Sequence, residues 1–406
     1  MIFLLMACSG KDSVVDTSDR DDTAPSFAGP CTDGWGQLSV FLDDPESALH
    51  VSPEGSPEGD GSVDAPFDRL ESALLHVHDN QLSPSIALWP GEYLATAGVL
   101  LSATGQGIDD SGGSLVGCGA GQVTLTGGAE APTLDVVQVT DITLAGFTIQ
   151  GGYRGLVVRG GASVEAEGLI IDHATRTGVL IDGSATQATL RDITVQSTVP
   201  DVDDSFGWGI AVQDAAVVLE NPTVTDMRAV GILVHAGSAT LSGGSVSGVT
   251  PDAQGLFGRG IQLQALSSGT LSGTQVRSVH DAGVFAHRSV ELSVDGILIL
   301  DTGAGLTADG GEASGDGMVV SQADGNNDPA DFVVEIHDSV FENSARAGLV
   351  LDGVTATLSG VTTPNSGLEQ EGHSVFIQGE ANVSGGGVEP TTTLGFNLDT
   401  LEDQYE

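Results

Sequence analysis

The sequence predicts an all-β solenoid, in which short parallel strands stack one coil upon the next. The main observation is a recurring phrase: a glycine, an apolar residue, any residue and a second apolar residue. Its copies return at shortest steps of 22 and 23 residues, and only 4% of the chain is aromatic, as a narrow aliphatic core requires. The copies begin at Gly155, Gly178, Gly209, Gly231, Gly260, Gly283, Gly317 and Gly348, with an altered copy at Ser374.

Each copy alternates with a period of two, which is the signature of a β-strand. Two further aliphatic columns follow each copy, so every period supplies three short strands that cannot bury themselves alone. Stacking the periods fuses the columns into one core, whereas an antiparallel sandwich does not predict columns at a single period. The second column is Leu190, Leu219, Leu241, Leu271, Leu292, Ile336 and Leu358, and the third includes Ile171, Val195, Val224, Val246, Val276, Ile299 and Val340.

Residues 66–79 precede the regular coils and show helical spacing. We expect this helix to cover the N-terminal end of the core, because an open end exposes strand edges and invites polymerisation. The apolar positions are Phe67, Leu70, Ala73, Leu74 and Val77.

The repeats, together with His50-Val-Ser-Pro, Leu70-Glu-Ser-Ala-Leu and Ile86-Ala-Leu-Trp-Pro-Gly, resemble the right-handed parallel β-helix (pectate-lyase-like) superfamily. The resemblance covers roughly residues 48–392 and implies three parallel sheets with an N-terminal capping helix. It leaves the activity open, since the superfamily includes lyases, hydrolases, epimerases and adhesins.

Residues 1–8 look like the end of a bacterial lipoprotein signal, because Leu5-Met-Ala-Cys8 matches the lipobox in which the cysteine is acylated. The basic segment expected before it is missing, so a late start or a merely apolar terminus remains an alternative. Residues 9–47 are predicted to be an acidic disordered tether and lead-in, and 393–406 an acidic tail. These features predict an exported monomer, attached through lipid alone to the bacterial outer membrane or cell surface.

Two cysteines remain if Cys8 carries lipid, and an exported protein lies in an oxidising compartment. We therefore predict a disulfide between Cys31 and Cys118 that ties the N-terminal segment to the first coils. The alternative is two buried free thiols.

The formal net charge of −44 disfavours binding to nucleic acid or to anionic surfaces, and it weakens polygalacturonate or alginate as a substrate. It is explained either by solubility or by acidic loops that bind Ca²⁺. No loop has EF-hand spacing. The calcium candidates are Asp201, Asp203, Asp204, Asp309, Asp316, Asp328 and Asp331.

Extra residues at Val199–Trp208, Thr250–Arg259 and Gly303–Asp316 all precede the repeated strand, so they should stack into a wall along one edge. Insertions on one face of a solenoid often mark its binding side, although neutral loop growth would give the same pattern. Beside this wall we expect a groove for an extended glycan. Its candidate residues are Asp182, Trp208, Gln213, His235, Phe257, Gln264, Phe285 and His287.

Enzyme signatures are incomplete. Ile170-Ile-Asp172-His173 is similar to a pectate-lyase stretch, and Asp203-Asp204 resembles the paired carboxylates of polygalacturonases, but the companion basic motifs of both families are absent. Arginines recur just before the repeated strand, and we expect them to form ion pairs at the turns. They are Arg154, Arg176, Arg228, Arg259 and Arg346.

The leading hypothesis from the sequence is a lipid-anchored surface protein that binds glycan or serves a structural role. The alternative is a polysaccharide lyase, glycoside hydrolase or epimerase. An enzyme should bring carboxylates together in the groove, or a carboxylate with an arginine or histidine, whereas a binding protein should show aromatic rings and amides there.

Overall fold

The computed structural model describes residues 29–103, 109–202, 206–305, 315–322, 331–366, 373–379 and 381–386. Within these residues every pairing between strands is parallel, and the strands stack as the predicted β-helix. Cys8, most of the predicted tether and the tail 393–406 lie outside the described residues, so the lipid anchor and the outer domain boundaries stay predictions. No helix in the described part is both long and apolar enough to cross a bilayer.

Each regular coil contributes one strand to each of three sheets. The first sheet contains the repeated phrase. Its strands are β4 (Val99–Ser102), β7 (Pro132–Val137), β10 (Arg154–Arg159), β13 (Thr177–Asp182), the first half of β16 (Trp208–Glu220), the first half of β18 (Val230–Ser242), β20 (Arg259–Gln264), β23 (Ala282–His287), β26 (Asp316–Ser321), β29 (Ala347–Asp352) and β31 (His373–Gln378).

The second sheet follows around the coil, and hydrogen bonding joins it to the first because β16 and β18 run through both. Its other strands are β1 (Leu49–Ser56), β2 (Ser85–Leu88), β5 (Ser114–Gly117), β8 (Ile142–Ala145), β11 (Ser163–Glu167), β14 (Gln187–Arg191), β21 (Ser268–Ser272), β24 (Glu291–Asp295), β27 (Val333–His337), β30 (Thr355–Ser359) and β32 (Asn382–Gly386).

The third sheet is separate and closes the coil. Its strands are β3 (Gly91–Ala95), β6 (Val123–Gly127), β9 (Thr148–Gly151), β12 (Ile170–Asp172), β15 (Thr194–Gln196), β17 (Thr223–Thr225), β19 (Ser245–Ser247), β22 (Gln275–Val279), β25 (Leu298–Thr302) and β28 (Val340–Glu342).

The three predicted aliphatic columns face one shared core, and nearly all their members are buried. Two assignments were wrong by one or two positions. Val294, not Leu292, lies beside Leu271, and Phe341, not Val340, lies beside Ile299. Because side chains alternate between faces, a shift of one residue turns Val340 outward.

The leading glycine of the repeated phrase lies inside a strand of the first sheet, as Gly178 does in β13. Gly178 has no left-handed backbone angle. A Cβ built on Gly178 would come within 2.3 Å of Val195 on the third sheet and 2.7 Å of the carbonyl oxygen of Gly209 in the next coil. The glycine is therefore required by close packing between two sheets and not by a left-handed turn.

The N-terminal end is capped as predicted. Helix α2 (Leu70–Asn80) buries Leu70, Ala73, Leu74 and Val77, and a short helix α1 (Leu38–Phe41) precedes it. The predicted Cys31–Cys118 disulfide is present, and its two cysteines have a sequence separation of 87. Closing so long a loop stabilises the fold by about 4–5 kcal/mol in the loop-entropy account.

Candidate functional site

Long connections precede or follow several strands of the first sheet in the sequence. Three of them, at 197–207, 248–258 and 303–315, run from the third sheet to the first, as predicted. Two others, at 103–113 and 322–332, run from the first sheet to the second and were not predicted. Because these connections enter or leave strands of the first sheet, the outer face of that sheet, which points away from the core, is the candidate site.

The apolar column on this outer face is covered by neighbouring side chains and is not open to solvent. Val157, Leu180 and Leu233 are 2%, 8% and 3% exposed. Trp208 packs on Val157 and Leu180, and together with Phe257 it packs on Leu233 in a later coil. Covering the column stabilises it by the hydrophobic effect. Both aromatic rings remain partly exposed, as a sugar-stacking surface requires.

Tyr153, Arg154, Arg176, Phe206 and Trp208 form a group that we call the N-terminal cluster. Cζ of Arg176 lies 3.5 Å from the ring centroid of Phe206 and 5.6 Å from that of Tyr153. The Tyr153 hydroxyl accepts a hydrogen bond from Nη1 of Arg176, and Phe206 meets Trp208 edge to face at 4.8 Å. Cation–π and aromatic contacts of this kind hold the rings in one orientation.

Carboxylates lie near this cluster, but they bind it loosely. Asp201 Oδ2 is 3.9 Å from Nη1 of Arg176. Asp135 is instead bound by Arg159 through two hydrogen bonds of 2.8 and 3.0 Å. Asp182 is partly exposed at the end of β13.

Arg154 differs from the other arginines of this face. Its Nε is buried and has no hydrogen-bond partner among the described residues. Burial lowers the pKa of Arg154 below its ordinary value, repulsion from Arg176 lowers it further, and attraction to Asp182 opposes both effects. The two guanidinium groups are therefore close enough to repel each other.

A polar row runs along the opposite edge of the outer face. Asp182, Gln213 and Gln264 are partly exposed, and His235 is exposed. His235 and His287 are two coils apart in register, about 10 Å, so they cannot share a metal ion. Asp182, Gln213, His235 and Gln264 thus remain available to a ligand.

Farther along the face lies the C-terminal cluster, which we define as Arg259, Asp281, Phe285, Asp316 and Arg346. Arg259 binds Asp281 through Nε and lies over Phe285, with Cζ 4.0 Å from the ring centroid. Arg346 binds Asp316 through Nε at 2.8 Å and also through Nη2. The ring of Phe285 is 6% exposed, so it is not open to a sugar in this structure.

The carboxylates of the C-terminal cluster are closed to solvent. Burial raises the pKa of Asp316, the ion pair with Arg346 opposes this effect, and Asp281 adds to it by repulsion. Asp281 and Asp316 are therefore close together, and each forms an ion pair with an arginine. Asp316, a predicted calcium ligand, has its oxygens engaged by Arg346.

Hydrogen bonds extend from this cluster across the sheet. Nη1 of Arg259 donates to Oε1 of Gln262 at 3.1 Å, and Nε2 of Gln262 donates to Oε1 of Gln264 at 3.2 Å. His287 stacks on Phe285 at 6.0 Å and is 6% exposed, so it is shielded from a ligand here.

The remaining candidates are scattered. His173 Nδ1 lies 2.7 Å from Asp172 Oδ1 at the end of β12, where the histidine is exposed. Asp331 is exposed at another corner. Within the described ranges no three histidine, cysteine or acidic side chains cluster to hold a metal ion, and calcium stays a prediction. Asp203, Asp204, Asp309 and Asp328 lie outside the described residues.

Two other concave surfaces compete with the outer face of the first sheet. One, of about 530 Å³, crosses the second sheet and is lined by Thr143, Glu165, Gln187 and Thr189 among others. The other, of about 710 Å³, lies beside the capping helix at Arg69, Leu75 and other residues. Neither is lined by a residue predicted from the sequence to bind glycan.

Sequence reasoning missed the joint role of Tyr153, Arg154, Arg176 and Phe206. A signal was present, since Tyr153 and Arg176 both lie two residues before the glycine of successive copies of the repeat, and Arg154 lies one residue before it. The role of Phe206 could not be predicted, because an insertion lies outside the repeat and its sequence does not show which way its side chains point.

The fold is similar to that of solved glycoside hydrolase domains. The catalytic unit of the thermostable GH87 alpha-1,3-glucanase from Streptomyces thermodiastaticus strain HF3-3 is 15% identical, with a TM-score of 0.53 over 86% of this chain and 70% of that chain. A GH87 alpha-1,3-glucanase catalytic domain in complex with nigerose is 12% identical, with a TM-score of 0.47 over 86% and 69%. For the GH136 lacto-N-biosidase from Eubacterium ramulus the identity is 10% and the TM-score 0.40, over 83% and 67%.

At such low identity the likeness shows the fold, which is the right-handed parallel β-helix predicted from the sequence. No protein-family model and no curated protein matches the chain.

Proposed function

We propose that this chain is a carbohydrate-active protein that binds an extended polysaccharide across the outer face of its first sheet and cleaves it by hydrolysis. The observation that carries the proposal is the N-terminal cluster, where partly exposed aromatic rings lie beside arginines and carboxylates. The fold shared with a glucanase catalytic unit supports it as context. This reverses the order of the two hypotheses from the sequence.

Binding follows from the two sides of the outer face. Trp208 and Phe257 offer partly exposed rings along one edge, and rings of this kind stack on the apolar faces of sugars. Gln213, His235 and Gln264 lie in consecutive coils of the polar row and can hydrogen-bond sugar hydroxyls. The coils are about 4.8 Å apart, so a chain that crosses them meets regularly repeated donors and acceptors.

Hydrolysis requires one carboxyl group that protonates the leaving oxygen and a second that activates water or attacks the sugar. We assign Asp201 and Asp182 to these roles, because Asp201 lies next to Arg176 and Asp182, on the opposite edge of the face, is close enough to attract Arg154. Asp182 is partly exposed and makes no side-chain hydrogen bond with the rest of the described chain. Asp281 and Asp316 are unsuited to the reaction since each is held by an arginine.

The test is to incubate the purified protein with neutral and acidic polysaccharides, with and without chelator, and to measure new reducing ends and new unsaturated ends. We expect reducing ends alone, and a rate at least about 100-fold lower in Asp182→Asn, as loss of general acid–base catalysis gives. Asp295→Asn, on the second sheet, is the matched control and should retain activity.

Unsaturated ends would contradict hydrolysis and indicate a lyase. Binding of a polysaccharide without any new ends would favour the second candidate, a glycan-binding surface protein. That candidate is favoured by the buried ion pairs of the C-terminal cluster, because Asp281 and Asp316 are bound to arginines and cannot act as catalytic carboxylates.

A further inference from the structure

Among the described residues, no carboxylate lies within hydrogen-bonding distance of Arg154 or Arg176 in the N-terminal cluster. Arg154 and Arg176 repel each other, and Oδ2 of Asp201 lies 3.9 Å from Nη1 of Arg176. Arg159, the next arginine on the face, is already paired with Asp135 through two hydrogen bonds.

Holding two like charges together in a half-buried place is unfavourable unless a counter-charge is supplied. The Nε of Arg154 adds a second cost, because it is buried without a hydrogen-bond partner in the part of the chain described. Asp182 attracts Arg154, but its side chain does not come within hydrogen-bonding distance. An oxyanion placed between the two guanidinium groups would remove both costs.

We propose that Arg154 and Arg176 form a subsite for an anionic group on a sugar, either a carboxylate or a sulfate ester. The planar guanidinium fork suits such oxyanions because it donates two parallel hydrogen bonds. Trp208 contacts Phe206 edge to face at 4.8 Å, so its partly exposed ring is close enough to stack on a neighbouring sugar. The subsite rests on the proposed function and narrows it to acidic polysaccharides.

The net charge of −44 does not prevent such binding. Interactions between exposed charges are largely screened beyond about 8 Å at physiological ionic strength, whereas contacts within a half-buried subsite are screened much less. The overall charge should slow the approach of an acidic chain, and the two arginines should slow its release.

The test uses four small probes, glucose, glucuronate, glucose 6-sulfate and inorganic sulfate, with binding followed by saturation-transfer NMR on the purified protein. We expect the two charged sugars to bind and glucose not to. In Arg154→Gln their affinity should fall roughly 10- to 100-fold, as expected when a charge-assisted hydrogen bond is lost. Arg277→Gln, which removes one charge from the third sheet, should bind like the wild type.

The two charged sugars separate a carboxylate subsite from a sulfate subsite. Equal binding of glucose and the charged sugars would overturn the proposal, as would an equal loss in Arg154→Gln and Arg277→Gln, or no binding by any probe. Binding of inorganic sulfate but of neither charged sugar would also overturn it, since the anion would then not be borne by a sugar. Cleavage of a neutral polysaccharide alongside any of these results would leave the proposed function standing.

A second measurement separates a binding role from a structural one. Removing one of two repelling charges should leave the melting temperature of Arg154→Gln unchanged or raise it. A clear fall in melting temperature relative to Arg277→Gln would show that Arg154 holds the fold, and would overturn the subsite.

Discussion

The N-terminal and C-terminal clusters lie on the same face of the same sheet and use the same residue types, but they handle charge differently. In the C-terminal cluster Arg259 and Arg346 are 1% and 10% exposed, and each binds an aspartate. In the N-terminal cluster Arg176 is 25% exposed with one distant carboxylate, and Arg154 has an unpartnered Nε within the described residues. A charge can be buried when it is paired. The paired arginines of the C-terminal cluster are therefore shielded from solvent, whereas those of the N-terminal cluster stay accessible to a ligand.

This difference shows that the position of an arginine in the repeat does not decide its role. Asp281 lies one coil after Arg259, and Asp316 one coil before Arg346, and these aspartates make the two arginines structural. Arg154 lies one residue before its glycine, as Arg259 does, yet its Nε has no partner among the described residues. Arg228 lies three residues before its glycine and donates to the carbonyl oxygen of Pro251. The prediction of ion pairs at every such turn was therefore wrong for this arginine and for Arg154.

The largest expected effect comes from breaking a buried pair in the C-terminal cluster. Asp316→Ala leaves Arg346 buried without its carboxylate, which should lower the free energy of unfolding by about 3–5 kcal/mol. Denaturant unfolding of the purified variant measures this change.

The control replaces both partners, Asp316→Ala with Arg346→Met, and should recover most of the loss because no charge is left uncompensated. A loss below about 1 kcal/mol in the single variant would mean that the pair behaves like an exposed one, and the contrast between the clusters would fail.

A smaller effect separates the two clusters by function. Trp208→Leu should weaken polysaccharide binding roughly 30-fold, or about 2 kcal/mol, because a partly exposed aromatic ring acts as a binding anchor. Phe285→Leu makes the same kind of change in the C-terminal cluster, and it should cost on the order of 1 kcal/mol of stability while leaving affinity unchanged. Titration calorimetry and thermal unfolding of both variants decide the matter. Equal losses of affinity in the two variants would show that both clusters belong to one binding site, and would contradict the functional difference between them.

The smallest effect is expected at the Arg159–Asp135 pair, which borders the N-terminal cluster. The Arg159 side chain is 51% exposed, so Arg159→Gln should change the free energy of unfolding by less than about 1 kcal/mol. The effect should shrink further in high salt. A loss as large as that of Asp316→Ala would show that exposure does not distinguish the pairs on this face.

Much of the fold could be predicted because it depends on a repeated pattern. The inward columns, the capping helix and the Cys31–Cys118 bridge follow from periodicity and cysteine count, and all are present. The role of the leading glycines could not be predicted, since the side chain that excludes a Cβ at Gly178 comes from Val195 on another sheet.

The site was only partly predictable. The place of the insertions and the partial exposure of Trp208 follow from the repeat, whereas the burial of Phe285 depends on packing across coils that no spacing reveals. The unneutralised charge of Arg154 depends on which carboxylate lies one coil away, and residue types alone do not fix that pairing.

The most direct test of the account is a crystal structure of the protein with an oligosaccharide released from a polysaccharide that it cleaves. The account predicts sugar rings on the outer face of the first sheet, with one ring against Trp208 and a carboxylate or sulfate between Arg154 and Arg176. Sugar bound instead in the concave surface of the second sheet, beside Glu165 and Thr189, would contradict it.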